Sequence, residues 1–183
     1  MLIEKNLYND FVNDFSSIMC QVADGRQYSN IIFLCIGTDR ITGDSFGPLV
    51  GYKLNNAFYN ADKINIIGDL SSTVCSNNAR EVVNYINETY SNPLIIAIDA
   101  ALSCKDNIGK IVVREGGLYL GKGLNKSCIY IGDMCIKGIV GQNLNNPMNN
   151  LRILQNTPLG RVMQLADVVS KGIYNVINYK CDE

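Results

Sequence analysis

Six apolar residues in unbroken succession, Ile31-Ile-Phe-Leu-Cys-Ile36, constrain this chain more than any other stretch. A run with no polar alternation fits a strand buried on both faces, as at the centre of a parallel sheet. Gly37 ends the run, and Gly43, Gly47 and the carboxylates Asp39 and Asp44 follow closely. Behind them Leu49, Val50 and Leu54 recur at helical spacing, and Pro48 suits the first turn of a helix. The stretch therefore reads strand, glycine-rich loop, helix. Asp44 lies just before a helix N-terminus, where the dipole favours its ionised form. The glycines could serve simply to reverse the chain, as in many α/β proteins. The spacing fits neither G-x-x-x-x-G-K-S/T nor G-x-G-x-x-G, and two acids would repel a phosphate. The carboxylates are the better candidates for chemistry.

The rest of the chain supplies partners for that strand. Leu7, Phe11, Phe15, Ile18, Met19 and Val22 share one face of an N-terminal helix over residues 4–23, expected to pack on the sheet. Lys63 to Gly68 reads as a second strand, followed by a polar loop from Asp69 to Asn77. Asn78 and Glu81 have the spacing of a capping pair ahead of a helix with Ala79, Val82, Val83 and Ile86 on one face. Leu94-Ile-Ile-Ala-Ile98 is another all-apolar strand, ending in Asp99. Strands separated by helices at this spacing predict a largely parallel sheet covered on both faces. Beyond Asp99, Lys110–Arg114 and Met134–Val140 read as further strands, partly antiparallel, joined by a connection rich in glycine. Residues 141–150 read as an asparagine-rich surface loop. Leu159–Tyr179 reads as a long C-terminal helix.

The length of 183 residues fits one α/β domain, 1–183, with the segment 1–25 packing on it as a helix. A net charge of −1 gives no electrostatic reason to expect nucleic acid. No apolar run is long enough to span a bilayer, and Met1-Leu-Ile-Glu-Lys5 is no signal peptide. Seven cysteines without a C-x-x-C pair read as reduced thiols of a cytosol-like compartment. Cys35, inside the buried strand, reads as core rather than nucleophile.

The chain contains no histidine. That removes Ser-His and Cys-His nucleophile pairs and the commonest catalytic metal ligand. In a parallel α/β sheet ligands bind outside the carboxyl ends of the strands. Asp44, after the first strand, and Asp99, at the tip of another, both belong at that end. Two carboxylates facing one cleft can share a proton, one activating water while the other donates. Such a pair needs no cofactor and no metal. Asp99 could instead cap a neighbouring loop. Asp39 reads most simply as a loop-structuring acid with Arg40 as a partner. A metal-assisted hydrolase using Asp39, Asp44, Asp69 and Asp99 is a further possibility; its oxygen-only ligands would suit Mg or Ca.

The string from Cys35 to Gly51, with Asp39-Arg-x-Thr-Gly-Asp44 inside it, resembles the signature of the sporulation family called spore protease YyaC. The match continues through Ile95–Ala100, Gly117–Gly123, Gly132–Val140 and Leu154–Thr157. That family is similar to the germination protease of spore-forming bacteria and, more distantly, to hydrogenase maturation endopeptidases. The resemblance implies a three-layer α/β/α fold with a mixed, mostly parallel sheet. It also implies peptidase chemistry, with Asp44 and Asp99 as the catalytic acids and Gly37, Asp39, Arg40, Gly43 and Gly47 as the supporting loop. The maturation endopeptidases carry metal-binding acids at these two positions plus a histidine, which this chain lacks. Two positions depart from the family pattern. Cys75 in Val74-Cys-Ser76 stands where Val-His-Ala is usual, making it a possible third site position. Pro158 stands where Gln-Asn-Thr is usually followed by arginine. The implied partners are peptides or proteins such as small acid-soluble spore proteins, in the cytoplasm of a forespore or mother cell. Homo-oligomer formation, a catalytically silent factor binding a peptide or partner, and small-molecule hydrolysis all stay open.

Overall fold

The computed structural model describes residues 2–120 and 129–181. Helix α1 (Leu2–Ala23) leads into β1 (Ile31–Cys35), a 3₁₀ turn over Thr42–Ser45 and α2 (Phe46–Ala57). Next come β2 (Ile64–Ile67), α3 (Ala79–Thr89) and β3 (Leu94–Ser103). The second half contains β4 (Ile111–Glu115), β5 (Leu118–Leu120), β6 (Ile129–Ile131) and β7 (Met134–Gln142). It ends with α4 (Pro147–Gln155) and α5 (Leu159–Cys181).

Five strands form one sheet in the order β2-β1-β3-β7-β4. β1 pairs in parallel with β2 and β3, and β3 in parallel with β7, while β4 closes the far edge antiparallel. The mixed, mostly parallel sheet therefore arises as the sequence predicts. β1 carries no polar residue because helices cover both of its faces. Phe33 and Cys35, with Leu94, Ile96 and Ile98 of β3, point into a core with Phe11, Phe46, Leu54, Val169 and Ile173 of α1, α2 and α5. Ile32, Leu34 and Ile36 point the other way, onto Ala79 and Ile86 of α3. Side chains such as Phe33, Leu34 and Ile96 are fully buried, and each such burial contributes about 1.5–3 kcal/mol. Among the described residues no helix is long and apolar enough to cross a membrane.

Four sequence readings are corrected. Asn78 stands directly before α3, but its side chain does not cap the helix. It accepts from the Cys75 N–H at 2.9 Å and donates to the Thr73 carbonyl at 2.9 Å, so it braces the preceding loop instead. β3 continues past Ile98 to Ser103, because β7 pairs with it along that length. The stretch 141–150 is not all loop. β7 runs to Gln142, and Asn146 starts α4 by accepting from the Asn149 N–H at 3.0 Å, with Pro147 in the first turn. Finally, part of the glycine-rich connection is a small antiparallel ribbon of β5 and β6, separate from the main sheet. The glycines Gly121 and Gly123 lie outside the described residues.

Candidate active site

After β1 the chain turns to β2 on one side, whereas β3 has its next parallel neighbour, β7, on the other. The gap between β1 and β3 is thus a switch point, the place where open α/β sheets form ligand crevices. β1 stops in register with Ile98, one residue short of Asp99, so β3 runs on beside the loop that leaves β1. Asp99 is therefore not a strand tip: it lies within β3, level with the point where the chain has just left the carboxyl end of β1.

The loop is held by close backbone packing at its glycines. Gly37 has φ of +138°, and a Cβ there would collide with the Asp44 carbonyl. A Cβ at Gly47 would collide with the Ile36 carbonyl. Gly43 faces α4, where an added Cβ would lie 2.9 Å from Leu154. These glycines let the loop press back onto the end of β1 and under α4. The Thr38 N–H donates to the Asp44 carbonyl at 3.1 Å, closing the loop and fixing Asp44 beside β3.

Asp44, Asp99 and Cys75 line one cleft of about 1090 Å³, together with Gly37, Asp39, Arg40 and side chains from α4. No direct hydrogen bond joins the two carboxyls among the described residues, yet each senses its surroundings strongly. Burial raises the Asp99 pKa, the nearby Asp44 charge raises it further, and the carboxyl reaches about 7. The Ala100 N–H and the Lys137 charge oppose that shift without cancelling it. Burial also raises Asp44, while the Thr38 N–H favours its ionised form. Asp44 additionally sits ahead of α2, whose N-terminus favours a negative charge. Near neutral pH this arrangement suits a pair holding one proton, with Asp99 as the acid and Asp44 as the carboxylate.

The supporting residues divide. Asp39 and Arg40 are exposed on the rim and form no ion pair with each other among the described residues. The turn that Asp39 was expected to organise is held by Thr38, whose Oγ1 accepts from the Arg40 N–H at 3.3 Å. Asp69 stands apart. Burial pushes its carboxyl up, but hydrogen bonds from Ser71, Ser72 and Asn55 outweigh that and hold it below the usual range. Its Oδ1 accepts from the Ser71 N–H, the Ser71 hydroxyl and the Ser72 N–H, and its Oδ2 from Asn55. Among the described residues no three His, Cys, Asp or Glu side chains gather into a metal-binding group. The chain has no histidine to complete the two-acid-plus-histidine set that the resemblance to the maturation endopeptidases implies. Cys35 is fully buried, and burial, then the Asp69 charge, push its thiol far up. It is core, as its place in the strand suggested.

Two contributors escape the sequence reading. Lys137 on β7 is in register with Asp99 on β3 and adds a compensating positive charge. Its signal was a single charge inside the otherwise apolar Met134–Val140 strand, an expensive placement without a partner. The second is α4, which supplies Met148, Leu151 and Leu154 to the cleft. Asn146-Pro147, an N-cap residue followed by proline, was its signal.

Fold and cleft together define an α/β protein with an aspartate pair at the sheet's switch point. The chain belongs to the family described as "Protein of unknown function (DUF1256)", whose model matches residues 3–172. It is 39% identical over 143 residues to "Uncharacterized protein YyaC" of Bacillus subtilis (strain 168), covering 78% of this chain and 67% of that one. Among solved structures it is similar to a NiFe hydrogenase maturation protease, HycI, from Thermococcus kodakarensis KOD1. That likeness has a TM-score of 0.56 and covers 88% of this chain and 99% of the other; at 16% identity it shows the shared fold alone.

Proposed function

We propose that this protein hydrolyses peptide bonds with Asp44 and Asp99 as a pair sharing one proton. The observation that carries the reading is the common cleft, with Asp99 raised to about 7 by burial and by the charge of Asp44. A carboxyl that holds its proton at neutral pH next to one that does not is the arrangement acid–base hydrolysis needs.

In the proposed reaction Asp44 takes a proton from a water molecule as its oxygen attacks the peptide carbonyl. Asp99 gives its proton to the carbonyl oxygen, so no free oxyanion forms. On collapse, the proton on Asp44 passes to the leaving amine, the C–N bond breaks, and a hydroxyl proton returns to Asp99. Water, peptide and two products balance, and the pair ends as it began. Thr38 and the glycine-packed loop hold Asp44, while Lys137 limits how far the Asp99 pKa rises.

The resemblance to the germination protease extends the proposal to a sporulation role, with small acid-soluble spore proteins as the first substrates to try. Full-length protein, Asp44→Asn and Asp99→Asn should be incubated with these proteins and with a mixed peptide library, and the products read by mass spectrometry. Each variant should lose at least about 10²-fold in cleavage rate, the usual worth of a positioned acid or base. Variants that cleave as wild type does would end the pair mechanism. A wild-type protein that binds these peptides and cuts none would make this a binding protein on a protease-like fold.

A further inference from the structure

We infer that the cleft holds an extended peptide by a large apolar side chain, seated in a subsite formed by Met148 and Leu151 of α4 with Leu70 of the same cleft. This rests on the cleft being where a peptide is held, and it adds what that peptide must carry. Met148 is 64% exposed, Leu151 38% and Leu70 36%, yet all three line the same cleft as the aspartates. Scattered apolar residues on a surface need no explanation, but several gathered in one concavity mark a binding site.

The arrangement of α4 is directional. Met148, Leu151 and Leu154 follow each other at three-residue spacing and so share one helix face. Leu154 is half-buried, packs against the main core and lies against Gly43 of the loop that carries Asp44. The stripe thus runs from the open rim down to the loop that carries Asp44. An apolar side chain entering along it would bring its own backbone toward the pair.

Charge argues against an acidic occupant. Among the described residues the ionisable side chains on the cleft are Asp39, Asp44, Asp99 and Arg40; with Asp99 holding its proton near neutral pH, two carboxylates face one guanidinium. Size argues for a polymer segment, because about 1090 Å³ lies at or beyond the roughly 300–1,000 Å³ of ordinary small-molecule pockets. Tyr119 of β5 adds an aromatic side chain to the lining of the same cleft.

The test uses full-length Asp44→Asn protein, so that binding is read without turnover. The probes are fluorescein-labelled decapeptides of Gly, Ser and Ala with one central Leu, Phe, Ser or Glu, followed by anisotropy. The Leu and Phe peptides should bind at least about tenfold more tightly than the Ser and Glu peptides, as expected for an apolar subsite. Adding Leu151→Asp or Met148→Asp should erase that preference. Both positions are exposed, and unchanged melting temperature and circular dichroism would show the fold intact. Met148→Leu should keep the preference, which a general disturbance of α4 would not allow. Equal binding of all four peptides, binding of none, or a preference that survives Leu151→Asp would each overturn the inference. Wild-type cleavage of the same peptides is followed separately. Cleavage without an apolar preference would refute this subsite and leave the proposed reaction standing; preferential binding without cleavage would do the reverse.

Discussion

Asp99→Asn should stabilise the protein at alkaline pH and do little at acid pH. The Asp99 carboxyl rises from an ordinary 3.8 to about 7 on folding, because burial and then the Asp44 charge disfavour its ionised form. Its folded pKa lies above the unfolded one, so the unfolded chain releases this proton first. Stability then falls as pH rises from about 4 and levels off above about 7. At about 1.4 kcal/mol per pH unit, the full loss is about 4 kcal/mol. Access from the cleft and relaxation of the loop would bring the observed figure down to about 2–4 kcal/mol. Asparagine resembles the protonated acid in shape and cannot ionise, so it removes this loss. Urea unfolding of both proteins at pH 4.5 and pH 8 measures the difference. The variant should match wild type within about 1 kcal/mol at the lower pH and exceed it by about 2–4 kcal/mol at the higher. An equal difference at both values, or a variant less stable at pH 8, would refute the claim that Asp99 is held protonated by its surroundings.

Three further outcomes follow from the site and its loop. Asp44→Asn should lower the Asp99 titration midpoint below about 7, because the charge that raises it is gone. Lys137→Met should move it upward, because the opposing charge is lost. Carbon-13 NMR of the aspartate carboxyls reads both directions, and shifts of the same sign would contradict the assignment. Gly47→Ala should destabilise by about 3 kcal/mol in urea titration, since its Cβ would meet the Ile36 carbonyl rather than a movable side chain. A fully stable Gly47→Ala protein would show that the loop does not pack as described.

The central strand, its two covering layers and the presence of Asp44 and Asp99 on one cleft could be read in the sequence. Buried parallel strands leave an unbroken apolar run, and strand-to-helix loops at their carboxyl ends collect functional side chains, so Ile31–Ile36 and Asp44 announce themselves. What could not be read was longer in range. The reach of β3 beyond Ile98 depends on β7 pairing alongside it, and nothing local to residues 99–103 signals that partner. Asn78 and Glu81 had the spacing of a cap, but the loop at Thr73 and Cys75 offered Asn78 better-placed partners. For Asp39 the competing group was its neighbour Thr38, whose hydroxyl makes the turn. The acids Asp39, Asp44, Asp69 and Asp99 looked equivalent as oxygen donors, yet Asp69 is consumed by its own serine-rich loop. α4 was hidden because asparagines at 143, 145 and 146 suggested an irregular loop, although Asn146-Pro147 is also how a helix begins.

The pH dependence of peptide cleavage tests the central claim most directly. If hydrolysis needs Asp99 protonated and Asp44 ionised, kcat/KM on a cleaved peptide should form a bell whose alkaline limb falls near pH 7. Lys137→Met should carry that limb upward, and Asp99→Asn should abolish the activity. Cleavage that stays constant from pH 6 to pH 9, or that persists in Asp99→Asn, would contradict the account.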